Sequence, residues 1–75
     1  MSDVTNADRA AWAAIALGAF KASHQCDGDD VANIKDLMTD LLHLARREFG
    51  VRDVYQLAHS AANMNFFEQT EDKEE

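Results

Sequence analysis

The chain has 75 residues, with 14 acidic side chains, 7 basic side chains, no proline and one cysteine, and its formal net charge is −7 at pH 7. This length allows one domain, near the lower limit for a hydrophobic core that has no disulfide or metal. The acidic surplus disfavours nucleic acid and anionic membranes as partners, and it favours basic protein surfaces.

The cysteine count and the N-terminal segment predict the cellular compartment. A single cysteine cannot form an internal disulfide, which is typical of a reducing compartment. The segment from Met1 to Asn6 has no basic region, and no run approaches the roughly 18 apolar residues of a membrane span. We therefore expect a cytoplasmic protein without a signal peptide.

The first predicted helix covers residues 6–24. Thr5 and Asp8 have the spacing of a capping box at its start. Apolar residues then recur at steps of three and four, which predicts one packing face. This predicted face consists of Trp12, Ile15, Ala16, Ala19 and Phe20.

The second predicted helix covers residues 29–49. Either Asp27 or Asp29 supplies its N-cap, and Gly50 predicts its end. Acidic residues near its start and arginines near its end both complement the helix dipole. Its predicted apolar side consists of Ile34, Leu37, Met38, Leu41, Leu42, Ala45 and Phe49.

The third predicted helix covers residues 53–67, and Asp53 with Gln56 resembles a second capping pair. Asn65 interrupts its apolar stripe, so we expect the helix to fray before Asn65 or the amide to find a partner. Residues 68–75 are charged and poor in apolar side chains, which predicts a disordered acidic tail. The fold prediction is all-α, a small three-helix bundle formed by residues 1–67, in which the second and third helices form a hairpin.

Enzyme chemistry finds little support in the sequence. His24 and Cys26 are close along the chain, but no third group or oxyanion donor accompanies them. His24, Cys26, His43 and His59 lack the spacing of a zinc site. We expect a protein that is not an enzyme and has no catalytic residues, bound metal or cofactor. A small metal- or thiol-dependent enzyme is kept as a third alternative, after the two non-enzymatic alternatives given below.

The acidic residues are unevenly distributed. The predicted tail has five acidic residues and one lysine, a charge of −4, and residues 1–67 carry nine acidic and six basic residues, a charge of −3. Four helical residues rise about 6 Å, so Asp36 and Asp40 would be spaced like neighbouring phosphates. The candidate residues for binding a basic protein partner are Asp27, Asp29, Asp30, Asp36 and Asp40, with Phe66 and Phe67 as apolar anchors.

Residues 34–45 read I-x-D-L-M-x-D-L-L-H-L-A and are followed by Phe49 and Gly50. This pattern, within residues 31–67, resembles small acidic helical proteins of phages and mobile elements, a group that includes anti-CRISPR proteins. The resemblance implies an inhibitor in a bacterial host that docks its acidic face on the basic nucleic-acid-binding surface of a CRISPR effector complex, without direct contact to nucleic acid or membrane. The alternative is a structural homodimer whose charge serves only solubility.

Overall fold

A computed structural model of the chain describes residues 4–23 and 28–72. Three helices follow one another in these residues, α1 (Asn6–Ser23), α2 (Asp30–Phe49) and α3 (Val54–Asp72), with no strand among them. Each helix contacts both of the others. The structure confirms the predicted all-α three-helix fold. None of the helices in the described residues has the length and apolar character needed to cross a membrane.

The start of α1 is fixed by a reciprocal capping box. The backbone N–H of Thr5 donates to Asp8 Oδ2 at 3.1 Å, and the backbone N–H of Asp8 donates to Thr5 Oγ1 at 3.1 Å. Two N–H groups that lack helical acceptors are thereby satisfied. This cap was predicted from the Thr5 and Asp8 spacing and is confirmed.

Both ends of α2 follow the sequence signals. The side chain of Asp29 accepts a hydrogen bond from the Ala32 backbone N–H at 2.8 Å, which makes Asp29 the N-cap. Asp27, the other candidate cap, lies outside the described residues. At the opposite end Gly50 has a φ of 70°, and its N–H donates to the Ala45 carbonyl. A glycine is favoured there because a Cβ strains this left-handed conformation.

The Asp29 cap gives the first prediction. The change Asp29→Ala should lower the free energy of unfolding by about 1 kcal/mol, because the Ala32 N–H loses its acceptor. Asp36→Ala is the matched control, since it removes the same charge from an exposed position inside α2. Urea unfolding at equal protein concentration measures both, and equal losses would contradict the capping role.

α3 is longer than predicted. It begins as expected after Asp53, whose Oδ1 accepts from the Gln56 backbone N–H at 3.0 Å. It continues through Asp72, so residues 68–72, which were predicted to be disordered tail, are helical. Of the two outcomes expected at Asn65, fraying of the helix does not occur. Residues 73–75 lie outside the described part of the chain.

Two hydrogen bonds explain the extra length of α3. Gln69 Nε2 donates to Asn65 Oδ1 at 2.8 Å, a side-chain pair one turn apart that supports the helix. Asn6 Nδ2 donates to the Glu68 carbonyl at 2.6 Å, which ties the first turn of α1 to this part of α3. The charged composition of residues 68–72 predicted a disordered tail, but these two hydrogen bonds keep the segment helical.

Contacts at its two ends hold α1 in place. Asn6 binds the C-terminal part of α3, and Lys21 Nζ lies 2.8 Å from Asp30 Oδ1 at the start of α2. α1 therefore bridges the beginning of α2 and the later turns of α3.

The rotation of α1 differs from the prediction. Leu17 and Phe20 are half-buried, whereas Trp12 and Ile15 are 58% and 73% exposed. The packing face is thus rotated by about one residue step, roughly 100°, from the predicted one. The reason is that alanine lies on every side of α1, so no single apolar stripe fixes the rotation and the contacts at its ends set it instead.

The bundle is open. No hydrophobic side chain among the described residues is buried, and the one buried side chain is that of Asn33, which is 2% exposed. The radius of gyration is 14.2 Å, compared with roughly 11 Å for a compact domain of this length. The best-covered apolar side chains are only half-buried; they are Leu17, Phe20, Leu37, Leu42, Ala45, Val51, Val54 and Ala58.

Candidate functional site

An apolar groove runs between α2 and α3. Its volume is about 540 Å³. None of its lining side chains carries a charge, and most are aliphatic. We call it the α2–α3 groove; its lining residues are Met38, Leu41, Leu42, Leu57, Ala58, Ala61, Ala62 and Asn65.

Part of the apolar side of α2 is exposed in the groove and beside it. Ile34, Met38 and Leu41 follow at steps of four and three residues and so share one face of the helix. They are 45%, 56% and 51% exposed, although the sequence predicts them on the packing side. The side chains that flank this face, Leu37 and Leu42, are half-buried. α2 therefore packs through its flanks and through Ala45 near its end, and it leaves Ile34, Met38 and Leu41 largely exposed to solvent.

Asn65 is the polar member of the groove lining. Its Oδ1 accepts the hydrogen bond from Gln69 Nε2, so the expectation that its amide finds a partner is met within α3. An amide has two donors as well as its carbonyl oxygen. Among the described residues no acceptor binds these N–H donors, so they can meet a group that enters the groove.

The five aspartates proposed as partner contacts have different positions. Asp29 caps α2, and Asp30 is bonded to Lys21, so both have structural partners. Asp27 lies outside the described residues. Asp36 and Asp40 are exposed, and no ion pair holds either of them within the described part of the chain. The structure thus leaves Asp36 and Asp40 free to meet a partner.

Asp36 and Asp40 lie on the side of α2 opposite to the groove. At 3.6 residues per turn, Asp36 and Asp40 are each about half a turn around the helix from Met38, which lines the groove. We call Asp36 and Asp40 the acidic face. A partner on the acidic face and a partner in the groove would approach α2 from opposite directions.

The Lys21 hydrogen bond lowers the pKa of Asp30 below its ordinary value of 3.8. The charge of Lys21 acts in the same direction, and so does a hydrogen bond from Asn33. Asp30 is exposed, so solvent screens this pair and its contribution to stability is small.

The ion pair gives the second prediction. The change Lys21→Gln should raise the pKa of Asp30 toward its ordinary value, because the ammonium donor and its charge are lost. A carboxyl whose pKa is depressed in the folded state stabilises the fold above its unfolded pKa, and this stabilisation disappears as the pH falls through the folded pKa. NMR titration of the Asp30 carboxyl carbon below pH 5 measures the shift. An unchanged pKa would contradict the pairing, and Asp36 in the same spectra is the control.

Phe66 and Phe67, the proposed apolar anchors, are exposed near the end of α3. They are 66% and 70% exposed, and their rings meet edge to face with centroids 5.9 Å apart. Phe67 lies on the side of α3 away from the groove, because it is about half a turn from Ala58. Phe66 follows the groove-lining Ala62 by four residues, so it lies beside the groove.

A second, smaller recess of about 180 Å³ is lined by Thr39, Leu42, His43, Arg46 and Val54. Arg46 Nη2 lies 3.1 Å from His43 Nδ1, and a guanidinium can only donate, so the imidazole accepts here. Within residues 4–23 and 28–72 no cluster of three or more histidine, cysteine or acidic side chains could hold a metal. His24 and Cys26 lie outside these residues.

Sequence reasoning missed two features of the structure. It placed Met38 and Leu41 on the apolar side of α2 but did not predict that they stay exposed. It also missed Asn33, whose Oδ1 is buried without a hydrogen-bond partner in the described residues. No pattern distinguishes Asn33 from an ordinary polar helix residue.

Comparison with protein-family models, curated proteins and solved structures finds no match for the chain.

Proposed function

We propose that the protein is a non-enzymatic protein-interaction module whose α2–α3 groove is covered by another polypeptide chain. The observation that carries this proposal is the open bundle, in which apolar side chains at the centre of α2 face solvent and none is buried among the described residues. Exposed apolar patches of this kind mark protein interaction sites.

The physical reason lies in the size of the core. Burial of apolar surface contributes about 25 cal/mol per Å², and it must offset the conformational entropy that each ordered residue loses. Half-buried side chains supply only part of that stabilisation. A partner that covers Met38, Leu41 and Leu57 would supply more, and it would also remove the exposed apolar surface from water.

Photo-crosslinking in the cell tests the module. A photoreactive amino acid at Leu41, in the groove, should form a covalent adduct with a polypeptide. The same group at Asn63, exposed on the side of α3 away from the groove, is the control and should form little adduct. Absence of any adduct at Leu41, in a variant that keeps its helical circular dichroism, would contradict the proposal.

A second candidate is an inhibitor of the anti-CRISPR type that docks the acidic face on a basic nucleic-acid-binding surface. The observation that favours it is the exposure of Asp36 and Asp40 without ion pairs in the described residues. Asp36 and Asp40, one helical turn apart, would bind arginine and lysine side chains that otherwise bind phosphates. Phe66 and Phe67 would then be apolar anchors for the same partner.

The acidic face gives its own prediction. The double change Asp36→Asn and Asp40→Asn should slow association with a CRISPR effector complex by roughly tenfold at low salt, because charge steers the encounter. Glu48→Gln combined with Asp53→Asn removes two charges elsewhere and is the control. Surface plasmon resonance at low and high salt measures both variants. Equal association rates for the two would exclude the acidic face as the docking surface.

A further inference from the structure

We propose that the chain which covers the α2–α3 groove is a second copy of this protein, in a two-fold symmetric dimer. This inference rests on the proposed function and names its partner. Two copies of one chain most often associate by such symmetry, in which the same surface of each copy meets the other. Surface area, charge and shape support this occupant.

The first argument is surface area. The chain exposes 6501 Å² to solvent. A compact monomer of 8.4 kDa exposes about 4,600 Å², so the chain has an excess of about 1,900 Å². A standard stable interface removes about 800 Å² from each partner, and obligate dimers remove more. This excess belongs to the whole chain and not to the groove alone, and it exceeds the area that each partner loses in a standard interface.

The second argument is charge. A dimer brings together two chains that each carry a net charge of −7, which would oppose association if the charges met. The groove lining contains no charged residue, and Asp36 and Asp40 lie on the opposite side of α2. Contact through the groove therefore keeps these acidic residues of the two copies apart and leaves them in water.

The third argument is the shape of the two walls. The α2 wall presents the large side chains of Met38 and Leu41, whereas the α3 wall presents mainly the small side chains of Ala58, Ala61 and Ala62. Under two-fold symmetry the large side chains of each α2 can lie against the alanines of the other α3, and this contact forms twice. The N–H donors of Asn65, which have no partner among the described residues, are then available to carbonyl oxygens of the other copy.

Sedimentation velocity of the purified full chain tests the dimer. At micromolar concentrations the protein should sediment with twice the mass of one chain. Leu41→Lys should shift the equilibrium at least a hundredfold toward monomer, because it places a charge in the apolar interface. Phe67→Lys is the control, since Phe67 is also an exposed apolar residue but lies away from the groove, and it should stay dimeric.

A second measurement does not depend on any variant. In a mixture of isotope-labelled and unlabelled wild-type protein, isotope-filtered NOEs should connect the methyl groups of Leu41 in one copy with the alanine methyl groups of α3 in the other. Sedimentation as a monomer, or a dimer whose intermolecular NOEs avoid these residues, overturns the inference. If the chain is a monomer and Leu41 still crosslinks to a different protein, the dimer is excluded while the proposed function stands.

Discussion

The change Asn33→Asp should lower the free energy of unfolding by about 3 kcal/mol or more, which is a large part of the stability of a domain this small. Asn33 is 2% exposed, and its Oδ1 has no hydrogen-bond partner among the described residues. An aspartate there would be a buried carboxylate close to Asp29 and Asp30. A negative charge in the first turns of a helix gains only about 0.3–1 kcal/mol from the dipole, so the burial cost dominates.

Asn63→Asp is the matched control for this prediction. It makes the same chemical change at an exposed position in α3 and should alter stability by less than about 0.5 kcal/mol. Urea unfolding followed by circular dichroism measures both variants. Loss of stability in Asn33→Asp should also diminish at low pH, where the new carboxyl is protonated. Similar stability of the two variants at pH 7 would show that Asn33 is not buried.

The thermal unfolding midpoint should rise with protein concentration. If two copies fold as one unit, unfolding produces two chains from one dimer, and mass action then favours the dimer at higher concentration. A tenfold increase in concentration stabilises the folded dimer by about 1.4 kcal/mol. For the roughly 150 residues of a dimer, this raises the thermal unfolding midpoint by about 4 °C. A midpoint independent of concentration is expected for a monomer.

Leu41→Lys separates this effect from aggregation. The variant should have a lower midpoint that no longer depends on concentration, because its chains do not associate. Phe67→Lys should keep the wild-type dependence. Differential scanning calorimetry over a wide range of concentrations measures all three proteins, and a constant wild-type midpoint would argue against folding coupled to dimerisation.

The helix boundaries that depend on local chemistry could be predicted from the sequence. The Thr5–Asp8 capping box, the Asp29 cap and the Gly50 cap each form hydrogen bonds with residues no more than five positions away. The sequence spacing of these residues therefore predicts where the helices begin and end. The end of α3 was not predictable in this way. It depends in part on Asn6, which lies 62 residues from Glu68 along the chain.

The surface that matters most for function could be predicted only in part. The periodicity of α2 identifies Ile34, Met38 and Leu41 as one apolar face, and this is correct. Periodicity does not say whether that face meets another helix of the same chain or another molecule, because both give the same pattern. In α1 alanine occurs on all sides, so the sequence does not indicate which side of the helix packs. The predicted packing of Trp12 and Ile15 was therefore wrong.

The groove and the acidic face can act together. They lie on opposite sides of α2, so a dimer joined through its grooves would present two acidic faces, each with Asp36 and Asp40 exposed. Two linked copies of a weak charged contact bind a partner with two basic sites more tightly than one copy does. The groove would then serve assembly, and the acidic face would serve recognition.

Whether another chain covers the groove in solution can be measured by the accessibility of its methyl groups to a paramagnetic probe. In a single chain Leu41 is 51% exposed and Leu57 is 42% exposed, so a soluble gadolinium chelate would reach their methyl groups. If another copy covers the groove, the NMR signals of these methyl groups should be protected, whereas those of Ile15, which is 73% exposed, should be strongly broadened. Broadening of Leu41 and Leu57 comparable to that of Ile15 in concentrated wild-type protein would contradict a covered groove.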